Sequence, residues 1–159
     1  MIVGKNAAAM SSEQRNTVPT GVAPIDEAIG GLEHGRVHLL YGELETGKTT
    51  IGMRFLAEGL SAGERCLLVT RYAAAAALDG LSRAGRPSHE DVATGRLALF
   101  EYATDLVDVL GRVEDLRFVL EELESIAAET RPQRIVFDTA EGEHVVSVEH
   151  IEDTENGGE

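Results

Sequence analysis

Short apolar runs alternate with longer amphipathic stretches through the middle of this chain. The apolar runs predict strands at Val37–Tyr41, Cys66–Thr70, Leu97–Glu101 and Arg134–Asp138. Apolar residues that recur at steps of three and four predict helices over about residues 47–60, 73–84 and 113–130. Such alternation is typical of a mostly parallel sheet with helices on both faces, so the predicted fold class is α/β.

The two ends of the chain lack this pattern. We expect residues 1–16 to be a flexible leader and residues 153–159 to be a disordered acidic tail, with one domain over residues 17–152. A further apolar period over residues 106–110 continues the third helix backwards across Gly111. One bent helix and two short helices are both compatible with that period.

The segment after residue 138 predicts how the sheet is completed. Residues 144–148 have the apolar character of a final strand, and residues 140–143 form a connection of hairpin length. A parallel crossover needs about ten residues or more, so we expect the final strand to run antiparallel to the strand before it. A sheet that ends in this way leaves an edge to cover, which makes a partner subunit physically reasonable.

One octapeptide carries the main chemical signal. Residues 42–49 read Gly-Glu-Leu-Glu-Thr-Gly-Lys-Thr, which matches the phosphate-loop pattern G-x-x-x-x-G-K-[ST] between a predicted strand and a predicted helix. The chain has only two lysines, Lys5 and Lys48, and the second completes this pattern. The predicted nucleotide-binding residues are Gly42, Glu43, Leu44, Glu45, Thr46, Gly47, Lys48, Thr49 and Thr50.

The residue types of this loop suit a nucleoside triphosphate with Mg²⁺. Glycines let backbone N–H groups turn towards phosphate oxygens, and the following helix adds the positive end of its dipole. We expect Lys48 to neutralise the β- and γ-phosphates, and the Thr49 hydroxyl and the Asp138 carboxylate to bind Mg²⁺. Asp138 follows an apolar strand, where an aspartate is also a common first turn residue.

The segment that precedes the loop carries a family resemblance. Residues 19–32 read Pro-Thr-Gly-Val-Ala-Pro-Ile-Asp-Glu-Ala-Ile-Gly-Gly-Leu, followed by Gly35, a strand and the phosphate loop. Over about residues 18–138 the chain resembles the KaiC-like branch of the RecA superfamily of P-loop ATPases. The resemblance implies a RecA-like core that binds ATP with Mg²⁺, with Asp138 as its Walker B carboxylate. It also implies assembly through subunit interfaces that contain the nucleotide.

The chain departs from that family's pattern in two ways. KaiC-like proteins usually carry one or two glutamates just after the second strand, but here Thr70 is followed by Arg71 and Tyr72. Because general-base help is worth about 10²–10⁴ in rate, a site without it can hold ATP and hydrolyse it slowly. Glu101, at the end of the third strand, is the alternative base. The family also continues with further strands, so we expect the sheet to be truncated after the Walker B strand.

Two carboxylates in the loop oppose phosphate binding. Glu43 is compatible with the family pattern, whereas Glu45 stands where glycine is common and a positive φ is favoured. A negative side chain at Glu45 is expected to weaken the affinity unless it points to solvent. High salt would reduce the repulsion.

The composition is acidic, with 28 Asp and Glu against 14 Lys and Arg and a net charge of −14. Acid excess with scarce lysine is expected of a protein from a salt-loving, haloarchaeal-type host. The scattered arginines argue against a nucleic-acid partner. No apolar stretch reaches the ~20 residues of a membrane span and no signal peptide is evident, so the expected location is cytoplasmic.

The remaining reactive side chains have ordinary explanations. Cys66 lies alone in an apolar strand, so we expect a small core residue. His34 and His38 flank a loop-to-strand junction and are not placed as a zinc pair. Arg71 and Tyr72 either approach a nucleotide in a neighbouring subunit or are surface side chains, and the second alternative is favoured.

Three functions are compatible with these observations. The leading hypothesis is an ATP-binding regulatory or signalling module with weak or absent hydrolysis. The first alternative is an active ATPase whose carboxylate comes from Glu101 or from another chain. The second alternative is a non-enzymatic adaptor with a decayed nucleotide site. ATP and Mg²⁺ are the expected ligands, and a homo-oligomer or a protein partner is the expected association.

Overall fold

The computed structural model describes residues 16–43, 45–86, 89–102, 113–138 and 143–147. In chain order its elements are β1 (Thr17–Val18), α1 (Ala23–Ile29), β2 (Leu32–Glu33), β3 (Val37–Tyr41), α2 (Lys48–Ser61), β4 (Cys66–Thr70), α3 (Ala74–Arg83), α4 (His89–Ala93), β5 (Leu97–Glu101), α5 (Val113–Thr130), β6 (Arg134–Asp138) and β7 (Glu143–Ser147). β1 and β2 form a small antiparallel sheet, and the other five strands form the main sheet.

The main sheet has the strand order β3-β7-β6-β4-β5. β4 pairs in parallel with β5 and with β6, whereas β7 pairs antiparallel with β3 and with β6. Because β7 is antiparallel to both of its neighbours, β3 runs in the same direction as β4, β5 and β6. The predicted mostly parallel α/β sheet is therefore confirmed.

The longer elements agree closely with their predictions. β3, β4, β5 and β6 have the predicted bounds, and α2, α3 and α5 begin and end within one residue of theirs. The short elements β1, β2, α1 and α4 were not predicted, because strands of two residues and helices of seven residues or fewer carry little hydrophobic period.

The final strand is confirmed as antiparallel to β6, and it begins one residue earlier than predicted. It does not form an edge of the sheet, because it lies between β3 and β6. β3 and β5 are therefore the outer strands of the described sheet.

Two apolar layers join the helices to the sheet, one on each face. The layer between the sheet and α2 with α3 contains Met53, Phe55, Leu56, Leu60, Leu68, Leu81 and Val136. The layer between the sheet and α5 contains Leu67, Val69, Leu123, Ile126 and Ile135. Every residue of β4, an interior strand of the main sheet, is buried, as expected for a strand covered on both faces. The predicted helices on both faces are present.

A buried arginine at the start of β6 connects three separate segments. The Arg134 guanidinium donates hydrogen bonds to the Glu64 carboxylate and to the carbonyl oxygens of Pro19 and Phe55, at 2.8 and 3.0 Å for the two carbonyls. It also lies 4.6 Å from the centroid of the Phe55 ring. A buried charge left without its partner costs about 3–5 kcal/mol. Arg134 therefore fixes the entry segment, α2 and β6 on one another.

Gly59 of α2 lies directly against this arginine. A Cβ added at Gly59 would lie 2.6 Å from Arg134 Cδ and 2.8 Å from a carboxylate oxygen of Glu64. The arginine cannot move aside without losing its hydrogen bonds. Gly80 of α3 differs, because an added Cβ there would meet Met53 at an ordinary contact distance of 3.6 Å.

The entry segment before α1 is closed by hydrogen bonds between its own polar residues. The backbone N–H and the hydroxyl of Thr20 both donate to Asp26 Oδ1 at 2.8 Å, and the same hydroxyl accepts from the Val22 N–H at 3.1 Å. Gly21 has a φ of 75°, and a Cβ there would lie 2.9 Å from the Arg54 carbonyl oxygen on α2. The Thr-Gly pair and the aspartate of this segment thus let the chain approach α2 closely.

Cys66 is buried in the layer beneath α2 and α3, which confirms the prediction that it is a core residue. Burial raises the pKa of its thiol to about 12. Because the thiolate is the reactive form, the Cys66 side chain is inert in the folded protein.

None of the described helices combines the length and apolar character that crossing a membrane requires. The acidic tail, the apolar period over residues 106–110 and all of the leader except Asn16 lie outside the described residues.

The contact between Gly59 and Arg134 leads to a prediction about stability. We expect Gly59→Ala to lower the free energy of unfolding by about 1–3 kcal/mol, because the methyl group overpacks a pinned side chain. Gly80→Ala is the matched control in a helix interior, and we expect it to raise that free energy by up to about 1 kcal/mol through helix propensity. Urea unfolding of both variants measures the difference. Shifts of equal sign and size would contradict the steric role of Arg134.

Candidate functional site

The predicted phosphate loop connects β3 to α2 at the carboxyl edge of the parallel strands. β3 ends at Tyr41, and α2 begins at Lys48 after Gly47, whose φ of 88° lies in the left-handed region. Gly47 has no side chain that could cap α2, so the N–H groups of the first helical turn are open to the loop. Those donors and the positive end of the helix dipole make a geometry suited to an anion.

Lys48 lies inside the loop with only 7% of its surface exposed. Its ammonium donates to the carbonyl oxygens of Gly42 at 2.8 Å and Glu43 at 2.6 Å, and it lies 3.5 Å from Thr46 Oγ1. Burial of an ammonium is costly unless it is paired, and here the main chain of the loop supplies the partners. An anionic ligand would replace these neutral carbonyls with stronger, charged hydrogen-bond partners.

The loop is also braced by its own side chains. The Thr46 hydroxyl donates to the Glu43 carbonyl oxygen at 2.8 Å. A Cβ added at Gly42 would lie 3.1 Å from Thr46 Oγ1, so the loop closes tightly over a residue without a side chain. Of the other predicted loop residues, Thr50 is exposed in the first turn of α2 and Leu44 lies outside the described residues.

The two predicted Mg²⁺ ligands meet beside the loop. Asp138 is buried at the carboxyl end of β6, and its Oδ1 accepts a hydrogen bond from Thr49 Oγ1 at 3.3 Å. These residues are 89 positions apart in the chain and are brought together by the packing of α2 on β6. A hydroxyl and a carboxylate oxygen are hard donors of the kind that Mg²⁺ prefers. The donor set therefore fits a Mg²⁺ ion bound directly or through water.

Tyr102 supports the main chain that carries Asp138, and sequence reasoning did not identify it. Its hydroxyl donates to the Asp138 carbonyl oxygen at 3.4 Å, and its N–H donates to the Thr70 carbonyl oxygen at 3.1 Å. The only sequence signal is a position directly after β5. Polar residues at strand ends are too common for that position to single it out.

Glu101, the alternative base, lies on the same edge of the sheet as Asp138 but not beside it. In the strand register Asp138 pairs with Thr70, and Thr70 pairs with Glu101. Because neighbouring strands are about 4.8 Å apart, the main chains of Glu101 and Asp138 are separated by about 10 Å. Thr70 between them is buried, and its hydroxyl accepts from the Tyr72 N–H at 3.1 Å. Glu101 itself is exposed.

The loop holds one glutamate in a strained backbone conformation. Glu45 has a φ of 61°, which confirms the prediction that this position favours a positive φ. The side chains of Glu43 and Glu45 are both exposed. Holding a residue other than glycine in the left-handed region costs about 1 kcal/mol or more, and here that cost falls on the phosphate loop itself.

His34 and His38 line a cleft beside β3, together with Asn16, Ile29 and Glu33. The Nε2 atom of His38 is hydrogen-bonded to the Glu33 carbonyl oxygen at 2.9 Å. Within the described ranges, no three His, Cys, Asp or Glu side chains are grouped so that they could hold a metal ion.

Comparison with known proteins gives a family match for this chain. Residues 18–150 match the model of a family described as the KaiC ATPase. A protein named RecA from Blastochloris viridis is 34% identical over 115 residues, which are 70% of this chain and 31% of that protein. RecA proteins of Brucella anthropi and Bartonella tribocorum are 41% identical over 71 residues and 42% identical over 55 residues.

The three relatives are much longer than the segments that match. The matching residues are 43% and 33% of this chain for the Brucella and Bartonella proteins, and 19% and 16% of those proteins. The chain thus matches less than a third of each RecA relative.

The strained position of Glu45 leads to a prediction with a matched control. We expect Glu45→Gly to relieve backbone strain and to raise the affinity for Mg·ATP roughly two- to fivefold at low salt, because it also removes a negative charge near the phosphates. Arg131 is also exposed and left-handed, with a φ of 45°, and lies at the opposite edge of the sheet. We expect Arg131→Gly to change stability by a similar amount and affinity not at all.

Urea unfolding and calorimetric titration measure the two effects of these glycine variants. Glu45→Gln keeps the strained backbone and removes the charge, so it separates the two causes. An unchanged affinity in both Glu45 variants would show that this carboxylate does not act on the bound phosphates.

Proposed function

Since this chain belongs to the KaiC family of RecA-like ATPases, we propose that it is a cytoplasmic module that binds Mg·ATP and hydrolyses it slowly or not at all. Its role in this proposal is regulatory, with the bound nucleotide controlling association with a partner. The single observation that carries the proposal is the phosphate loop closed around the buried Lys48 ammonium.

The loop has the groups that a triphosphate needs. Lys48 would exchange the carbonyl oxygens of Gly42 and Glu43 for phosphate oxygens, and the first turn of α2 would add N–H donors. Thr49 and Asp138 would hold Mg²⁺, which when bound neutralises phosphate charge and fixes the phosphates in place. These assignments name the atoms of this chain that would bind the nucleotide and the metal ion.

The residues directly after β4 support the slow hydrolysis in this proposal. Thr70 ends that strand, and the next residues are Arg71 and Tyr72, both exposed. Neither residue carries a carboxylate, the group that would orient the attacking water and accept its proton. ATP can then remain bound for a long time, which suits a module that reports the nucleotide state.

A second candidate function is an active ATPase in which Glu101 activates the water. The observation that favours it is the register, which places Glu101 in the same row as Asp138 at the carboxyl edge of the sheet. The separation of about 10 Å between the two main chains requires a bridging water or a movement of β5. An adaptor without nucleotide has no comparable observation in its favour, since Lys48 and Thr49 of the loop and Asp138 of β6 remain together.

We expect calorimetric titration with Mg·ATP in molar potassium chloride to detect binding. Lys48→Ala should weaken it roughly ten- to a hundredfold, as expected for loss of hydrogen bonds to charged groups. Lys5→Ala removes the other lysine of the chain and serves as the charge-matched control, with no expected change. Asp138→Ala should weaken the binding of Mg·ATP and reduce the dependence of the affinity on Mg²⁺, because Thr49 remains as the other ligand. A folded protein that binds no nucleotide at millimolar concentration would favour the adaptor and would contradict the proposal.

Turnover measurements separate the two candidate functions. We expect a rate of about 0.01 per second or less, because enzymes typically reach at least about 1 per second and the missing base accounts for a factor of about 10² or more. Release of phosphate from ATP is measured for the unaltered chain, Lys48→Ala and Glu101→Gln. Turnover of a few per second that is lost in both variants would establish the active ATPase and refute slow hydrolysis.

A further inference from the structure

The outer edge of β3 carries a concentration of exposed apolar side chains. Among the described residues, three of the six large apolar side chains that are exposed belong to this strand: Val37 at 64%, Leu39 at 56% and Tyr41 at 78%. They alternate along β3, so they share one face of the sheet. Leu39 pairs with Val145, which in turn pairs with Phe137, so this is the face on which α5 packs.

Within the described part of the chain, the main chain of β3 is also paired on one side only. Its ladder partner is β7, and no other described strand or loop hydrogen-bonds to the backbone of residues 37–41. An edge strand of five residues with an apolar face is a template for another strand. Proteins commonly protect such edges with a charge or a proline within the strand, and neither is present in the Val-His-Leu-Leu-Tyr sequence of β3.

The charges around β3 are opposite at its two ends. Arg36 precedes the strand, and the carboxylates of Glu43 and Glu45 follow it. Arg36 forms an exposed ion pair with Glu33 at 3.4 Å, a type of contact that is worth at most about 1 kcal/mol and exchanges readily. A strand whose beginning is basic and whose end is acidic is complementary to an antiparallel copy of itself.

We propose that β3 is a self-association strand, which pairs antiparallel with β3 of a second copy about a two-fold axis at Leu39. Two copies then form one continuous sheet, with Leu39 opposite Leu39 and Val37 opposite Tyr41. The six apolar side chains become one stripe of cross-strand pairs, each worth about 0.2–1 kcal/mol. The same register places Arg36 of each copy opposite Gly42 and beside Glu43 of the other.

The self-complementary pattern selects a second copy over an unrelated protein. A two-fold interface uses the same patch twice, so each feature of the patch must match its own reversed order. β3 meets this condition, because reversal places Leu39 on itself, Val37 on the apolar Tyr41, and the basic end of the strand on its acidic end. The association uses the strand and not the loop interior, so it stands whether or not the nucleotide proposal holds.

Disulfide trapping tests the proposed register directly. In antiparallel pairs the opposed Cα atoms lie about 4.5–5.5 Å apart, which is within the range that a disulfide spans. We expect Leu39→Cys in the full chain to give a covalent dimer under mild oxidation, and Leu39→Ser to give none. Val92→Cys is the matched control at an exposed apolar site on α4, and we expect it to form no covalent dimer under the same conditions, although its β3 still pairs. The native Cys66 is buried and contributes no background.

Equilibrium sedimentation in molar potassium chloride tests the association without a covalent bond. We expect a concentration-dependent dimer whose dissociation constant rises at least tenfold in Leu39→Glu, because the two-fold axis places the two new carboxylates opposite each other. Val92→Glu carries the same charge change and should leave the constant within twofold. Circular dichroism establishes that both variants are folded.

Three outcomes would overturn this inference. The first is an unaltered chain that remains monomeric at high concentration, as expected if β3 is covered by its own chain or by another protein. The second is a dimer that Leu39→Glu does not weaken. The third is a Leu39→Cys variant that dimerises without forming the disulfide.

Discussion

The Arg134 guanidinium sets the position of α2 on the sheet, and the geometry of the candidate site depends on that position. Arg134 opens β6 and Asp138 closes it, while α2 begins with Lys48 and Thr49 and passes Phe55 over the arginine. The hydrogen bond from Arg134 to the Phe55 carbonyl oxygen therefore fixes the middle of α2 over the start of β6. The 3.3 Å distance between Thr49 and Asp138 at the far end follows from this alignment. A buried guanidinium with several partners serves this purpose well, because it cannot shift without leaving a polar group unpaired.

The phosphate loop combines strong positive and negative charge in a small space. Lys48 is buried, whereas Glu43 and Glu45 are exposed on the same loop in a protein with a net charge of −14. An electrostatic interaction is stronger where water is excluded. The buried Lys48 ammonium therefore acts at a low dielectric constant, while the exposed carboxylates are screened by water and ions. High salt favours this arrangement, since it weakens the repulsion of phosphate by the exposed carboxylates more than the attraction of phosphate by the buried ammonium. The acidic composition and the retention of a single lysine in the loop are thus compatible with nucleotide binding.

The sequence predicted the elements that have a long hydrophobic period or a distinctive motif. The four parallel strands, the helices α2, α3 and α5, and the proximity of Thr49 to Asp138 all follow from such patterns. The antiparallel direction of β7 followed from its short connection to β6. Its place between β6 and β3 did not, because the length of a loop does not determine which strand pairs with the other side of β7. Arg134 and Tyr102 were missed, since their roles arise from contacts with residues distant in the chain. The positive φ of Glu45 was predicted from the usual glycine at that position.

The place of β7 has a consequence for how the protein is made. β3 is synthesised early, yet within the described sheet its ladder partner is β7, about a hundred residues later. While the ribosome is still translating the intervening region, the strand that leads into the phosphate loop has no neighbour to pair with. Its apolar face is then open to chaperones and to other nascent chains. We therefore expect the strand that leads into the phosphate loop to be ordered late in folding, after residues 143–147 have left the exit tunnel.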